Sequence, residues 1–127
     1  MFIGRKTELE KLEMLYRKKG FQFVIMYGRR RVGKTTLMLE FCKDKPSIFF
    51  VAEEYNDKIA LQKFSEKIFE FFKINDFMSA FESWEKAFLF LAKQAENRRL
   101  VVVLDEFPYI VSANKSIPSI LQNLMSV

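Results

Sequence analysis

The sequence predicts an α/β fold with a mostly parallel sheet, and three observations carry that expectation. Residues 21–27, 48–52 and 100–104 are short runs rich in Phe, Val and Ile with little polar alternation. Such runs suit strands covered on both faces, the condition of parallel sheets. Between them lie segments whose apolar residues recur at helical spacing. The connections are short, with no internal repeat, low-complexity tract or linker, and 127 residues make one domain with a modest core.

Each element has a local cause. Thr7-Glu8-Leu9-Glu10 matches a capping box, in which the Thr7 oxygen and the Glu10 carboxylate satisfy backbone N–H groups reciprocally. Leu9, Leu12, Leu15 and Tyr16 then line one side of a helix. Arg17, Lys18 and Lys19 fall in its last turn, and Gly20 stops it. The run 21–27 is the first strand. Thr35 to Cys42 is a helix with Leu37, Met38 and Phe41 on its buried side and Cys42 as packing. Pro46 marks the turn into the second strand, Ile48 to Ala52. Glu53 and Glu54 lie at that strand's C-terminal end, where doubly wound sheets place ligands, although solvated acids are the simpler reading. Asn56 caps a helix running to about Lys73, with Ile59, Ala60, Phe64, Ile68 and Phe71 on its buried side. Asn75-Asp76 breaks that pattern, and Ser83 caps the next helix, where Trp84, Ala87, Phe88, Leu91, Ala92 and Ala95 form a core stripe. The third strand is stopped by Pro108, and Ser116-Ile117-Pro118 opens a short helix still running at Val127.

Two stretches carry chemistry. Gly28-Arg29-Arg30-Arg31-Val32-Gly33-Lys34-Thr35, followed by Thr36, fits the phosphate-binding loop G-x-x-x-x-G-K-[ST] at every fixed position. Gly28 and Gly33 permit a close backbone approach, so that successive N–H groups converge on phosphate oxygens. Lys34 supplies a charge for the β- and γ-phosphates, Thr35 a hydroxyl for Mg²⁺, and the following helix its positive end. A strand before the loop and a helix after it supply the context that the motif requires. The second stretch is Leu100-Val101-Val102-Val103-Leu104-Asp105-Glu106, a buried strand delivering two carboxylates at its tip. That is the layout of a Walker B segment. Asp105 would hold Mg²⁺ and Glu106 would polarise the attacking water as general base.

Composition excludes several chemistries. There is no histidine, so Ser-His or Cys-His catalysis and His-ligated metals are absent from this chain. One cysteine excludes an internal disulfide and fits a reducing compartment. The N-terminus lacks a signal-peptide layout, and no apolar run approaches the ~20 residues of a membrane span. The cytoplasm is the expected location. A net charge of +5 is compatible with DNA, but Arg29, Arg30 and Arg31 lie inside the phosphate loop, so charge alone does not establish DNA binding. Fifteen phenylalanines read as an aromatic core.

Phe2-Ile3-Gly4-Arg5 before a Glu-Leu helix, the loop Tyr27 to Thr35, and Val103-Leu104-Asp105-Glu106-Phe107-Pro108-Tyr109 together resemble the archaeal-type AAA-like ATPases. These also occur in bacteria and are related to the STAND and origin-recognition ATPases. The resemblance runs along the whole chain. It implies a P-loop NTPase fold, three-layer α/β/α, incomplete at the C-terminus, with residues 1–127 as the N-terminal part of the ATPase domain. It also implies ATP as the nucleotide, with Gly4 and Arg5 on its adenine side. The family continues into a fourth strand with a polar sensor, a fifth strand and a helical lid. The fourth strand would lie between the first and third, which leaves three arrangements open. The first and third strands could pair directly, a second chain could supply a strand, or exposed edges could drive self-association. Hydrolysis by an incomplete domain of this kind is expected to be impaired.

Three functions are compatible with these residues. The first is an Mg-ATP-dependent ATPase with Lys34, Thr35, Asp105 and Glu106 in the roles given. The second is a regulatory or DNA-associated switch in which ATP binding controls assembly. The third is a small-molecule kinase, against which adjacent Asp105 and Glu106 favour water activation. A trans-acting arginine is not assignable, with Arg98 and Arg99 left open.

Overall fold

The computed structural model of the chain describes residues 6–17, 22–25, 32–74 and 80–125. In chain order they form α1 (Lys6–Arg17), β1 (Gln22–Ile25), α2 (Val32–Cys42), β2 (Ser47–Val51), α3 (Asp57–Phe72), α4 (Trp84–Gln94), β3 (Val101–Asp105), α5 (Phe107–Ala113) and α6 (Ile117–Met125). The strands form one parallel sheet in the order β1-β3-β2. Gln22 and Ser47 both lie opposite Val101, and Ile25 and Phe50 both lie opposite Leu104. Of the three arrangements open to the sequence, the structure adopts direct pairing of the first and third strands.

The strand that comes last in sequence is therefore central in space. Consecutive side chains of β3 point to opposite faces, and each face meets its own apolar cluster. Val102 and Leu104 join Ile48 and Phe50 of β2 with Phe64, Ile68, Trp84, Phe88, Leu91, Phe107, Ile110 and Ile117 from α3 to α6. Val101 and Val103 join Met38, Phe41 and Cys42 of α2, with Leu9, Leu12 and Tyr16 of α1 packed against them. Phe64 is the aromatic centre of the first cluster, its ring 5.3 Å from those of Phe50 and Phe88 and 5.4 Å from Trp84. β2 contains no polar alternation beyond Ser47, yet its burial alternates, because Ile48 and Phe50 face the larger cluster.

The helix ends follow local chemistry. The Asn56 side chain accepts from the Ile59 N–H at 2.9 Å and starts α3; Ser83 accepts from the Lys86 N–H at 3.1 Å and starts α4. Lys73 closes α3 in the left-handed region at φ 55°, donating to Glu70, while the Ile74 N–H donates to Phe69.

Several boundaries depart from the sequence reading. α1 begins at Lys6, so Thr7 lies inside the first turn rather than at the cap. α2 begins at Val32, three residues before Thr35, so the end of the glycine motif is itself helical. Ile59 is 40% exposed rather than buried, and Ser65 takes an interior position that helical spacing alone did not assign. Its hydroxyl donates to the Leu61 carbonyl and accepts from the Phe81 N–H, which satisfies it there. Pro108 does not stop the strand. It lies in the first turn of α5, where a missing N–H costs nothing because the first turn has no carbonyl to donate to. Phe21, Gly20 and the break at Asn75-Asp76 lie outside the described residues.

Two polar clusters tie distant elements together. Asp57 accepts from the Trp84 indole at 2.7 Å and from Asn114 at 3.3 Å, joining α3 to α4 and to the end of α5. On the opposite face, the nearly buried Lys45 ammonium bonds Glu13 at 2.7 Å and the Phe41 carbonyl at 2.9 Å, and sits 4.3 Å from the Phe41 ring centre. Arg99 donates to the Tyr16 and Arg17 carbonyls and so caps α1 from the segment before β3.

Removing the Asp57 carboxylate leaves a buried indole N–H unpaired, so Asp57→Ala should cost about 1–3 kcal/mol in urea unfolding, with Trp84 fluorescence as the probe. Alkaline pH gives a second expectation. Burial pushes the Cys42 thiol above its ordinary 9.0, outweighing Ser47 and Lys45. Burial alone would lower Lys45, but Glu13 and Asp44 hold it above its ordinary 10.5. Both folded values are raised, so this stability is complete below about pH 9 and is lost as pH rises. Stability–pH profiles should show the loss above 10.5 diminished in Lys45→Met, with Cys42→Ala removing the earlier component.

Candidate functional site

At its C-terminal edge the sheet carries the two adjacent carboxylate residues that the sequence singled out. β3 ends there in Asp105, 3% exposed, the deepest charged side chain among the described residues. Its Oδ1 accepts from the Glu106 N–H at 2.8 Å. Its Oδ2 is buried and has no hydrogen-bond partner among the described residues. A carboxylate oxygen held away from water without a donor is costly, and a cation is the partner that most fully offsets the cost.

Glu106 follows in the left-handed region, at φ 57° and ψ 45°. For a residue with a Cβ this conformation costs about 1–2 kcal/mol. The Asp105 Oδ1 bond to its N–H and the Tyr109 N–H bond to its carbonyl hold it there. Glu106 is the residue before α5, yet its carboxylate does not cap that helix. The strand therefore turns into a helix within one residue and leaves Glu106 half-buried at the sheet edge.

β1 ends at the same edge, shortly before the glycine motif in sequence. Ile25, its last residue, lies opposite Leu104, one position before Asp105. From there the chain reaches Val32, where α2 begins. The connections on either side of α2, residues 26–31 and 43–46, are short, so the helix runs antiparallel to the strands. Its N-terminus points to the edge that holds Asp105. Val32, Gly33, Lys34, Thr35 and Thr36 form its first turns, whose leading N–H groups lack intrahelical acceptors. No acidic residue in that turn offsets its positive end.

The remaining candidates divide. Gly28, Arg29, Arg30 and Arg31, with Gly4 and Arg5, lie outside the described residues. Glu53 and Glu54 are exposed. Tyr55 stands beside Glu53, and its hydroxyl is raised by partial desolvation and then by the Glu53 charge and hydrogen bond. These acids fit the reading of a solvated strand end. Arg99 is engaged with the end of α1. The sequence reading missed the backbone of Glu106, although Pro two residues later was a signal for a helix start there. No helix among the described residues is long and apolar enough to cross a membrane.

An uncharacterized protein of Methanocaldococcus jannaschii is 28% identical over 130 residues, which cover all of this chain and 26% of that protein. The chain thus spans about a quarter of the length of this relative. An uncharacterized ATP-binding protein of the same organism is 49% identical over 45 residues, 35% of this chain and 76% of its own length. No solved structure matches. Residues 2–127 match the model of a family described as an ATPase domain predominantly from Archaea, and the chain belongs to that family.

Proposed function

We propose that this chain binds Mg-ATP at the C-terminal edge of its sheet and, within a complete ATPase domain, hydrolyses it to ADP and phosphate. The observation that carries the reading is the buried Asp105 carboxylate, with one oxygen unpartnered among the described residues, at the edge where β1 ends. The fold is then read as a P-loop NTPase of α/β/α layers, supported by apolar clusters on both faces of a parallel sheet. Residues 1–127 are read as the N-terminal part of the ATPase domain. Kinship with the AAA-like, STAND and origin-recognition ATPases rests on the sequence motifs quoted above.

The roles follow from placement. The backbone from Gly28 to Gly33 would wrap the phosphates, aided by the positive end of α2. Lys34 would meet the β- and γ-phosphates, and Gly4 and Arg5 the adenine side. Asp105 fits a divalent cation, since Mg²⁺ takes one or two protein carboxylates and completes its shell with phosphates and water. Thr35 would be its second protein ligand. A cation held by Asp105 and Thr35 would supply positive charge against the negative charge that develops on the phosphates. Glu106 would orient the water and accept its proton, and the strained turn after Asp105 holds its backbone at the edge.

Calorimetric titration tests the reading. Lys34→Ala should lose Mg-ATP binding at least tenfold, whereas Glu106→Gln should keep binding and, in a complete domain, abolish phosphate release. Equal affinity in wild type and Lys34→Ala would sink the assignment. Asp105→Asn separates burial from function. It keeps the Oδ1 acceptor but removes an unpaired buried charge, so the nucleotide-free chain should gain about 1 kcal/mol in chemical unfolding. The same variant should lose the Mg²⁺-dependent part of nucleotide affinity.

A further inference from the structure

β2 is an outer strand: among the described residues it pairs on one side only, with β3. Two bonds at its ends fix which way its backbone faces. The Pro46 carbonyl accepts from Val101 N–H at 3.0 Å, and the Ala52 N–H donates to the Asp105 carbonyl at 3.1 Å. In a strand the N–H and C=O of one residue point to the same side, and the side alternates along the chain. Positions 46, 48, 50 and 52 therefore face β3, and Ser47, Phe49 and Val51 turn theirs to the open edge. Neither a proline within β2 nor a bulge in its register blunts that edge.

Along the edge runs a groove between β2 and α3, made of two adjoining cavities of about 390 and 340 Å³. Phe49 lines both. The α3 wall carries Lys63, Glu66, Lys67 and Glu70, all exposed and none in an ion pair among the described residues.

We propose that this edge binds a second copy of the chain, β2 antiparallel to β2, about a two-fold axis perpendicular to the sheet and midway between Phe49 and the partner's Phe49. Phe49 then exchanges both backbone hydrogen bonds with the partner's Phe49, and Ser47 with the partner's Val51. These are the residues whose polar groups already face outward, so the pairing needs no rearrangement of β2. The same axis sets α3 antiparallel to the partner's α3 on one face of a continuous sheet. Inversion places Lys63 against the partner's Glu70 and Glu66 against the partner's Lys67, opposite charges at every position. A row with like charges at its symmetric positions would repel itself under this operation. The order positive, negative, positive, negative is self-complementary, as a two-fold interface requires. The strand register sets the axis, and Lys67 and Glu70 of the charge row line both cavities together with Phe49.

Sedimentation equilibrium of the 127-residue chain tests this, with charge reversal at exposed positions that leave the fold intact by circular dichroism. The wild type should show a concentration-dependent monomer–dimer equilibrium. Lys63→Glu with Lys67→Glu makes the row wholly negative, and Glu66→Lys with Glu70→Lys makes it wholly positive. Each double variant should weaken the dimer at least about tenfold, and an equimolar mixture should restore it. A chain that stays monomeric to near-millimolar concentration overturns the proposal. So does a dimer that neither reversal weakens, or a mixture that fails to associate.

Discussion

A central parallel strand has no solvent side, and the rest of this structure follows from that constraint on β3. From Val101 to Asp105 every residue is buried, because neighbouring strands occupy both edges and apolar clusters occupy both faces. Four of these residues are apolar and gain from burial. The fifth is a carboxylate at the strand tip, which burial penalises. One of its oxygens is answered by the Glu106 N–H, and the other has no donor among the described residues. The sheet thus concentrates an unmet electrostatic demand at one point, beside the strand end from which the glycine motif departs.

The two faces of the sheet are held by different physics. On the side of α3 to α6, large aromatic and aliphatic residues interlock around Phe64, and Asp57 and Ser65 add a few satisfied polar contacts. On the side of α1 and α2 the cluster is smaller, and cations close it. Lys45 binds α1 through Glu13 while covering the Phe41 ring, and Arg99 caps the end of α1 while its guanidinium lies over Tyr16. This side carries α2, whose N-terminus faces the site. The orientation of that helix thus depends on long side chains that bury their stems and satisfy their charges with backbone carbonyls and carboxylates.

Features fixed by neighbours in sequence were legible without coordinates. Asn56 and Ser83 could be read as caps because the N–H groups they accept from lie three residues on. Leu37, Met38 and Phe41 could be read as one buried face because helical periodicity is local. Asp105 could be placed at a strand tip because the apolar run ends there. What depends on distant pairing was not legible. Nothing near Lys45 announces Glu13, 32 positions away, and nothing near Arg99 announces Tyr16. The direct β1–β3 pairing was one of several open arrangements, since strand order is decided by which faces and edges can be covered. Pro108 misled because proline ends strands and also begins helices. Only the left-handed turn at Glu106 distinguishes the two outcomes.

The Asp105 Oδ2, buried and without a donor among the described residues, is the proposed place for a cation held together with nucleotide phosphates. The most direct measurement is the affinity of the unmodified chain for ATP with Mg²⁺ present and with Mg²⁺ chelated. A buried carboxylate facing phosphates without a cation repels them, so chelation should weaken binding at least tenfold. Equal affinity in both conditions would contradict the account, because Asp105 would then contribute nothing to the nucleotide site.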